Sequence, residues 1–185
     1  MIKKLLFLML LGLSIHASDL YFGGEIKGAQ NTLKGGINSD LRLSDVKGLI
    51  HLDYGEDGAF KYRVYLSYTH FSTALFDEKN QDLYGLGLEL IKEFHAQDFI
   101  YPYVKLSLGF GQMALENAQE DKIDALLMAA GFGISFKTTS HLYFNTGFEY
   151  LAKRWQTIRY VSVTEHTLSS YSYGLGLFVG ASYKF

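Results

Sequence analysis

Apolar and polar residues alternate along most of this chain, and its closing stretch, YSYGLGLFVGASYKF, shows the pattern plainly. From Tyr171, every second residue reads Tyr, Tyr, Leu, Leu, Val, Ala, Tyr, Phe; those between read Ser, Gly, Gly, Phe, Gly, Ser, Lys. A period of two belongs to a β-strand, whose successive side chains leave opposite faces of the pleat. The same alternation predicts strands near 20–28, 41–54, 59–72, 82–94, 100–113, 123–137, 141–153 and 171–185. The apolar face is clearest in Tyr62, Val64, Leu66 and Tyr68, in Tyr84, Leu86, Leu88 and Leu90, and in Met128, Ala130, Phe132 and Ile134. The expected fold class is all-β, with eight strands, most of them near the ~9–11 residues of a tilted membrane strand.

The connections alternate in length. Gly55–Gly58, the segment around Ala96-Gln97-Asp98 and Thr138-Thr139-Ser140 are short and turn-rich, whereas 29–40, 73–81, 114–122 and 154–170 are longer and polar. Short and long loops on opposite rims describe an antiparallel up-and-down transmembrane β-barrel, with the turns toward the periplasm. The structural rival is a soluble eight-stranded barrel with its apolar face turned inward. Glycine position separates the two. Gly85 and Gly87, Gly109 and Gly111, Gly131 and Gly133, and Gly174 and Gly176 all fall on the polar face of their strands. A water-exposed face gains nothing from paired glycines, while a narrow interior has little room for anything larger. The membrane barrel is therefore expected, with Tyr173, Leu175, Leu177, Val179 and Ala181 facing lipid. Ser172, Gly174, Gly176, Gly180 and Ser182 then face the lumen, together with the bulky Phe178. Closure of the last strand on the first removes the exposed edge.

Lys3 and Lys4, the apolar run Leu5–Leu13 and the small residues Ala17-Ser18 follow the order of a secretory signal peptide. Cleavage after Ala17 or Ser18 fits; the boundary is placed after Ser18, giving a signal peptide at 1–18 and a barrel domain at 19–185. Removing Lys3 and Lys4 leaves 15 of the 17 basic residues against 19 acidic ones, so no nucleic-acid partner is expected. The chain has no cysteine, which excludes disulfides and thiolate metal sites. No cofactor and no metal site is expected.

With the leader, the eight alternating segments and the final Tyr183-Lys184-Phe185 in place, the chain resembles the small eight-stranded outer-membrane proteins of Gram-negative bacteria. These include the OmpA transmembrane domain, OmpX and the opacity-type porin family. The resemblance covers the whole of 19–185 and rests on pattern rather than on a unique motif. It implies a location in the cell outer membrane, with outer-membrane lipid and lipopolysaccharide as surroundings. It also implies that Tyr183 and Phe185 act as an assembly signal read by the barrel-assembly machinery.

Inward parity and rough depth bring Glu25, Arg63, Glu89, Lys105 and Glu149 toward the barrel middle, with His51 somewhat lower and Lys61 and Lys153 near opposite rims. Charges in a confined interior must be paired or hydrated. The expected arrangement is an ionic plug that fills the lumen; its functional counterpart is a narrow, switchable pore. His70-Phe71-Ser72 places two polar groups on the outer face and resembles the His-x-Ser arrangement of lipid A deacylases. Thr73 stands where that family has Asn, and Glu89, the acid on the fourth strand, points inward. The protein is accordingly expected not to be an enzyme. Asp77, Glu78 and Asp82, and Glu116, Glu120 and Asp121, form acidic stretches expected to be solvated loop. The hairpin around Ile158–Val163 is expected to project as a surface for adhesion or receptor binding. The overall expectation is a non-enzymatic barrel serving envelope structure or narrow permeation, with surface binding as the alternative.

Overall fold

The structure is a computed structural model and describes residues 19–34, 41–72, 82–114, 122–156, 158–161, 165–168 and 170–185. The expected signal peptide at 1–18 lies outside the described residues, as do Asp77, Glu78, Glu116, Glu120 and Asp121. Eight long strands form one closed antiparallel barrel: β1 (Asp19–Lys34), β2 (Leu41–Gly55), β3 (Phe60–Phe71), β4 (Asp82–Glu93), β5 (Ile100–Ala114), β6 (Lys122–Lys137), β7 (Leu142–Trp155) and β10 (Tyr171–Lys184). Between β7 and β10, β8 (Ile158–Val161) and β9 (Glu165–Leu168) pair as a separate two-stranded sheet. Each barrel strand pairs with its sequence neighbours, and β1 closes the ring against β10, from Tyr21 opposite Lys184 to Lys34 opposite Tyr171.

Alternation places the apolar residues outside. Phe110 and Leu175 are 68% and 67% exposed, and Ile26, Leu88, Leu106 and Val179 are likewise outward. An outward apolar band of this extent would be an aggregation hazard in water and is the normal exterior of a barrel in lipid. Outward aromatics bound the band at both ends. Tyr68, Tyr84, Tyr150 and Tyr171 lie toward the long-loop rim; Phe60, Tyr62, Phe144 and Tyr183 lie toward the short-turn rim.

Two sequence expectations change. The first strand does not stop at residue 28 but runs to Lys34, because its backbone stays paired with both β2 and β10 as far as Leu33 and Lys34. Similarly, Ala114 and Lys122 belong to strands β5 and β6, and β7 extends to Trp155. The second change concerns what alternation means along these extensions. Beyond the outer tyrosines the outward residues are polar, as in Gln30, Thr32 and Lys34 of β1, Ser44 and Arg42 of β2, and Lys122 and Asp124 of β6. The inward ones become apolar: Leu33, Leu43, Phe71, Leu83, Met113, Ile123, Ala125, Leu127 and Trp155 form one buried cluster. Side-chain direction continues unbroken while the chemistry of the two faces exchanges. Below this level the barrel is polar inside and apolar outside; above it β1–β7 turn polar residues outward around an apolar cluster, while β10 keeps Tyr171 outward and Ser172 inward.

The interior glycines have the packing role the sequence suggests. A Cβ at Gly109 would lie 2.8 Å from the Tyr65 hydroxyl, and one at Gly133 would lie 2.8 Å from the Tyr103 ring. The missing side chains make room for large inward rings on neighbouring strands.

Candidate functional site

The lumen is filled in tiers. At the long-loop end stands the apolar cluster, with the Phe71 and Trp155 rings 6.0 Å apart. At the short-turn end Tyr21, Tyr101 and Tyr143 pack together. Between them lie the charges, all on inward positions and nearly all buried.

Arg63 is the hub. Its Nε and Nη2 donate to the two carboxylate oxygens of Asp53 at 2.7 and 2.8 Å, and its Nη1 donates to Glu89 at 3.2 Å and also to Glu25. Such a planar fork matches a carboxylate in both distance and direction. Lys105 Nζ lies 3.1 Å from Glu149 and 3.4 Å from Glu25, and 3.6 Å from the centroid of the Phe178 ring. The five residues singled out from sequence, Glu25, Arg63, Glu89, Lys105 and Glu149, thus belong to one connected network. Glu89 and Lys105 occupy adjacent strands and join through Glu25 and Arg63 rather than pairing directly. Phe178, the bulky break in the last strand, is 1% exposed and packs with Ile91 and Tyr103 beneath this network.

Sequence reasoning omitted Lys27 and Asp53. Lys27 donates to Glu149 at 2.9 Å and lies 3.5 and 3.6 Å from Glu25 and Glu89. Asp53 accepts from Arg63 and is hydrogen bonded to His51 at 2.7 Å. Parity would have found both, since Lys27 shares a face with Glu25 and Asp53 with His51. Parity does not supply the stagger between strands, which sets the depth at which β1 meets β7. Toward the long-loop end Asp45 accepts from Asn31 at 2.8 Å and is ion-paired with Lys153. Lys47 faces the Tyr65 ring at 4.8 Å.

Charge balance follows from the roster. Glu25, Asp45, Asp53, Glu89, Glu93 and Glu149 face Lys27, Lys47, Lys61, Arg63, Lys105 and Lys153 within the lumen. Arg63, Lys27 and Lys105 each neighbour two or more carboxylates, so the cost of burying each charge is offset by several partners at once. Two cavities among these side chains measure about 20 Å³ each. Each is large enough for about one water molecule.

On the outer wall, His70 and Ser72 lie on the exposed face as alternation requires, and Phe71 between them points into the apolar tier. Glu89 is inward, as expected, yet His70 does have an acidic partner. Asp82, which opens β4 directly opposite it, lies 2.8 Å from His70 Nδ1 and also accepts from the Tyr68 hydroxyl at 2.8 Å. Ser72 extends the sheet through its backbone, donating N–H to Ser44 at 2.8 Å. Among the described residues no hydrogen bond joins Ser72 to His70, the contact a nucleophile and its base require. At the other rim, Phe185 N–H donates to Leu20 at 2.9 Å, the Tyr183 and Phe185 rings are 5.3 Å apart, and Tyr183 stacks on His141 at 5.6 Å.

No protein-family model matches the chain, and no curated protein sequence matches it. Solved structures do. Neisserial surface protein A (NspA) is 18% identical, covering 92% of this chain and 100% of that one, with a TM-score of 0.59. The outer membrane protein AlkL, determined in lipid bilayers, is 14% identical over 91% of this chain and 90% of its own, with a TM-score of 0.55. The outer membrane protein OprG from Pseudomonas aeruginosa is 16% identical over 91% and 95%, with a TM-score of 0.50. At such identities the likeness is one of fold: this chain is a closed eight-stranded antiparallel barrel of the kind found in small outer-membrane proteins.

Proposed function

We propose that this protein is an integral barrel of the bacterial outer membrane, non-enzymatic, whose lumen is a structural core rather than a conduit. One observation carries the reading: among the described residues the interior holds an apolar tier, a charge-balanced ionic tier and a tyrosine tier, with two cavities of about 20 Å³ between their side chains. A narrow eight-stranded barrel leaves an interior that side chains can fill. The long-loop rim faces outward and the short turns face the periplasm, in surroundings of outer-membrane lipid and lipopolysaccharide. Planar-bilayer recording of the purified, folded barrel tests the proposal. The expected result is an absence of discrete conductance steps; ion-selective channels from the wild-type protein would refute it.

Tyr183 and Phe185 are proposed as the end read by the barrel-assembly machinery. Deleting Phe185 should lower the fraction of heat-modifiable, inserted barrel, and unchanged insertion would remove that role. A surface-binding reading is favoured by one separate feature, the β8–β9 sheet standing apart from the barrel. If that reading holds, replacing residues 157–169 by a short Gly-Ser turn leaves the barrel folded while abolishing adherence of cells that display it to a host-cell layer.

A further inference from the structure

Seven of the eight pairings in this barrel join consecutive barrel strands; the seam between β1 and β10 joins the two ends of the chain. It closes the longest loop and carries the largest entropic penalty of any pairing. At the short-turn rim the seam ends in Tyr21 of β1 and Lys184 of β10, which are register partners. Both reach the same carboxylate. Asp57, on the turn between β2 and β3, accepts from the Tyr21 hydroxyl at 2.6 Å and from Lys184 Nζ at 3.5 Å. It also accepts from the Tyr143 hydroxyl of β7 at 2.6 Å, from Lys61 of β3 at 3.2 Å and from Lys137 of β6 at 3.4 Å.

The turn is held in place to do this. Gly58 has φ of 72°, in the left-handed region, and its N–H donates to Glu93 of β4 at 3.2 Å. Its carbonyl accepts from Lys92 at 3.4 Å. One turn thereby ties six strands together across the rim, five through Asp57 and β4 through Gly58, including both sides of the seam. We propose that the β2–β3 turn is a latch, with Asp57 as its bolt, that locks the β1–β10 seam closed at the short-turn end.

The ionisation of Asp57 is consistent with that role. Partial burial would raise its pKa, but hydrogen bonds from Tyr143 and Tyr21 and the charges of Lys61 and Lys184 outweigh this and hold the carboxyl well below the usual range. Lys137 adds to these cations; Glu93 lies beyond Gly58, and Asp19 shares Lys184 at 2.5 Å. A depressed carboxyl pKa contributes stability that is fully present above the ordinary value of about 3.9 and is lost as pH falls through the folded value.

The test uses Asp57→Asn in the folded full-length barrel, with Tyr21→Phe as a milder variant that removes one donor and keeps the ring. Cysteines at Phe22 and Tyr183, seam partners on the outer face, are joined by a short bifunctional thiol reagent. Cysteines at Leu106 and Ala130, partners between β5 and β6, serve as the control crosslink. Asp57→Asn should unfold in denaturant about tenfold faster or more, as expected for losing a charge-assisted hydrogen bond. Hydrogen exchange should quicken at 20–24 and 180–185, and the loss of stability below about pH 4 should shrink. The seam crosslink should abolish the rate difference and the control crosslink should leave it. Wild-type unfolding by both variants, or equal rescue by the two crosslinks, would overturn the latch, whatever the conductance of the barrel.

Discussion

Arg63 neighbours three carboxylates on three other strands, so its removal is not the mirror image of removing any one of them. Arg63→Leu leaves Glu25, Asp53 and Glu89 facing one another in a buried space and should cost about 3–5 kcal/mol. Glu89→Gln alone should cost less, because Arg63 retains Asp53 and Glu25. Combining the two relieves part of the repulsion left by the first. The double variant should therefore fall short of the sum of the singles by about 0.5–3 kcal/mol in a denaturant-melt cycle. Strict additivity would mean that each charge is hydrated on its own. Five members of this network were legible from inward parity and depth, and Phe178 was legible as the inward exception on the last strand. Lys27 was missed because Glu89 and Glu149 lie across the barrel, brought level by strand stagger, whereas Asp53 was within reach of sequence reasoning as the register partner of Arg63 on the adjacent strand.

Strands read well where a polar lumen opposes an apolar exterior, and poorly where that opposition reverses. Residues 29–34 looked like loop because Gln30, Asn31 and Thr32 carry no apolar stripe, yet β1 continues through them on backbone pairing to both neighbours. Apart from Phe178, sequence reasoning took the inward face to be polar, and so did not anticipate the Phe71–Trp155 cluster. Nothing in a period of two reports which solvent lies outside a given rung. The reversal can be located by substitution. Leu177→Arg, within the apolar band, should destabilise the barrel by about 2–4 kcal/mol if it sits near the bilayer midplane. Gln30→Arg points outward from β1 above the band and should change stability by no more than about 0.5 kcal/mol. Equal costs at the two positions in a folding titration would show that the reversal is not at the height assigned to it.

The molecule as a whole is a barrel with balanced charge inside, the proposed latch at one rim and, between β7 and β10, a second sheet of two strands. Its strand count followed from alternation and the orientation of its faces from the placement of glycines, whereas the latch could not be read, because Asp57 gathers partners from five strands that only the closed ring brings together. The exchange of inside and outside chemistry along β1 to β7 has a consequence for how the molecule would ride in the membrane proposed for it. A ship with a painted waterline has one draft. Lowering this barrel into a thicker bilayer would immerse Gln30, Thr32, Arg42 and Lys122, while raising it in a thinner one would leave the leucines and phenylalanines of the band in water. Tilting helps little, since the exchange spans seven of the eight barrel strands, so the lipid would stretch or thin around a rigid wall at a fraction of a kcal/mol per ångström. Reconstituted in phosphatidylcholines of increasing chain length, the barrel should show a single maximum in unfolding temperature, with stability falling on both sides. In the location proposed for it, the protein would also set the local thickness of the membrane around it.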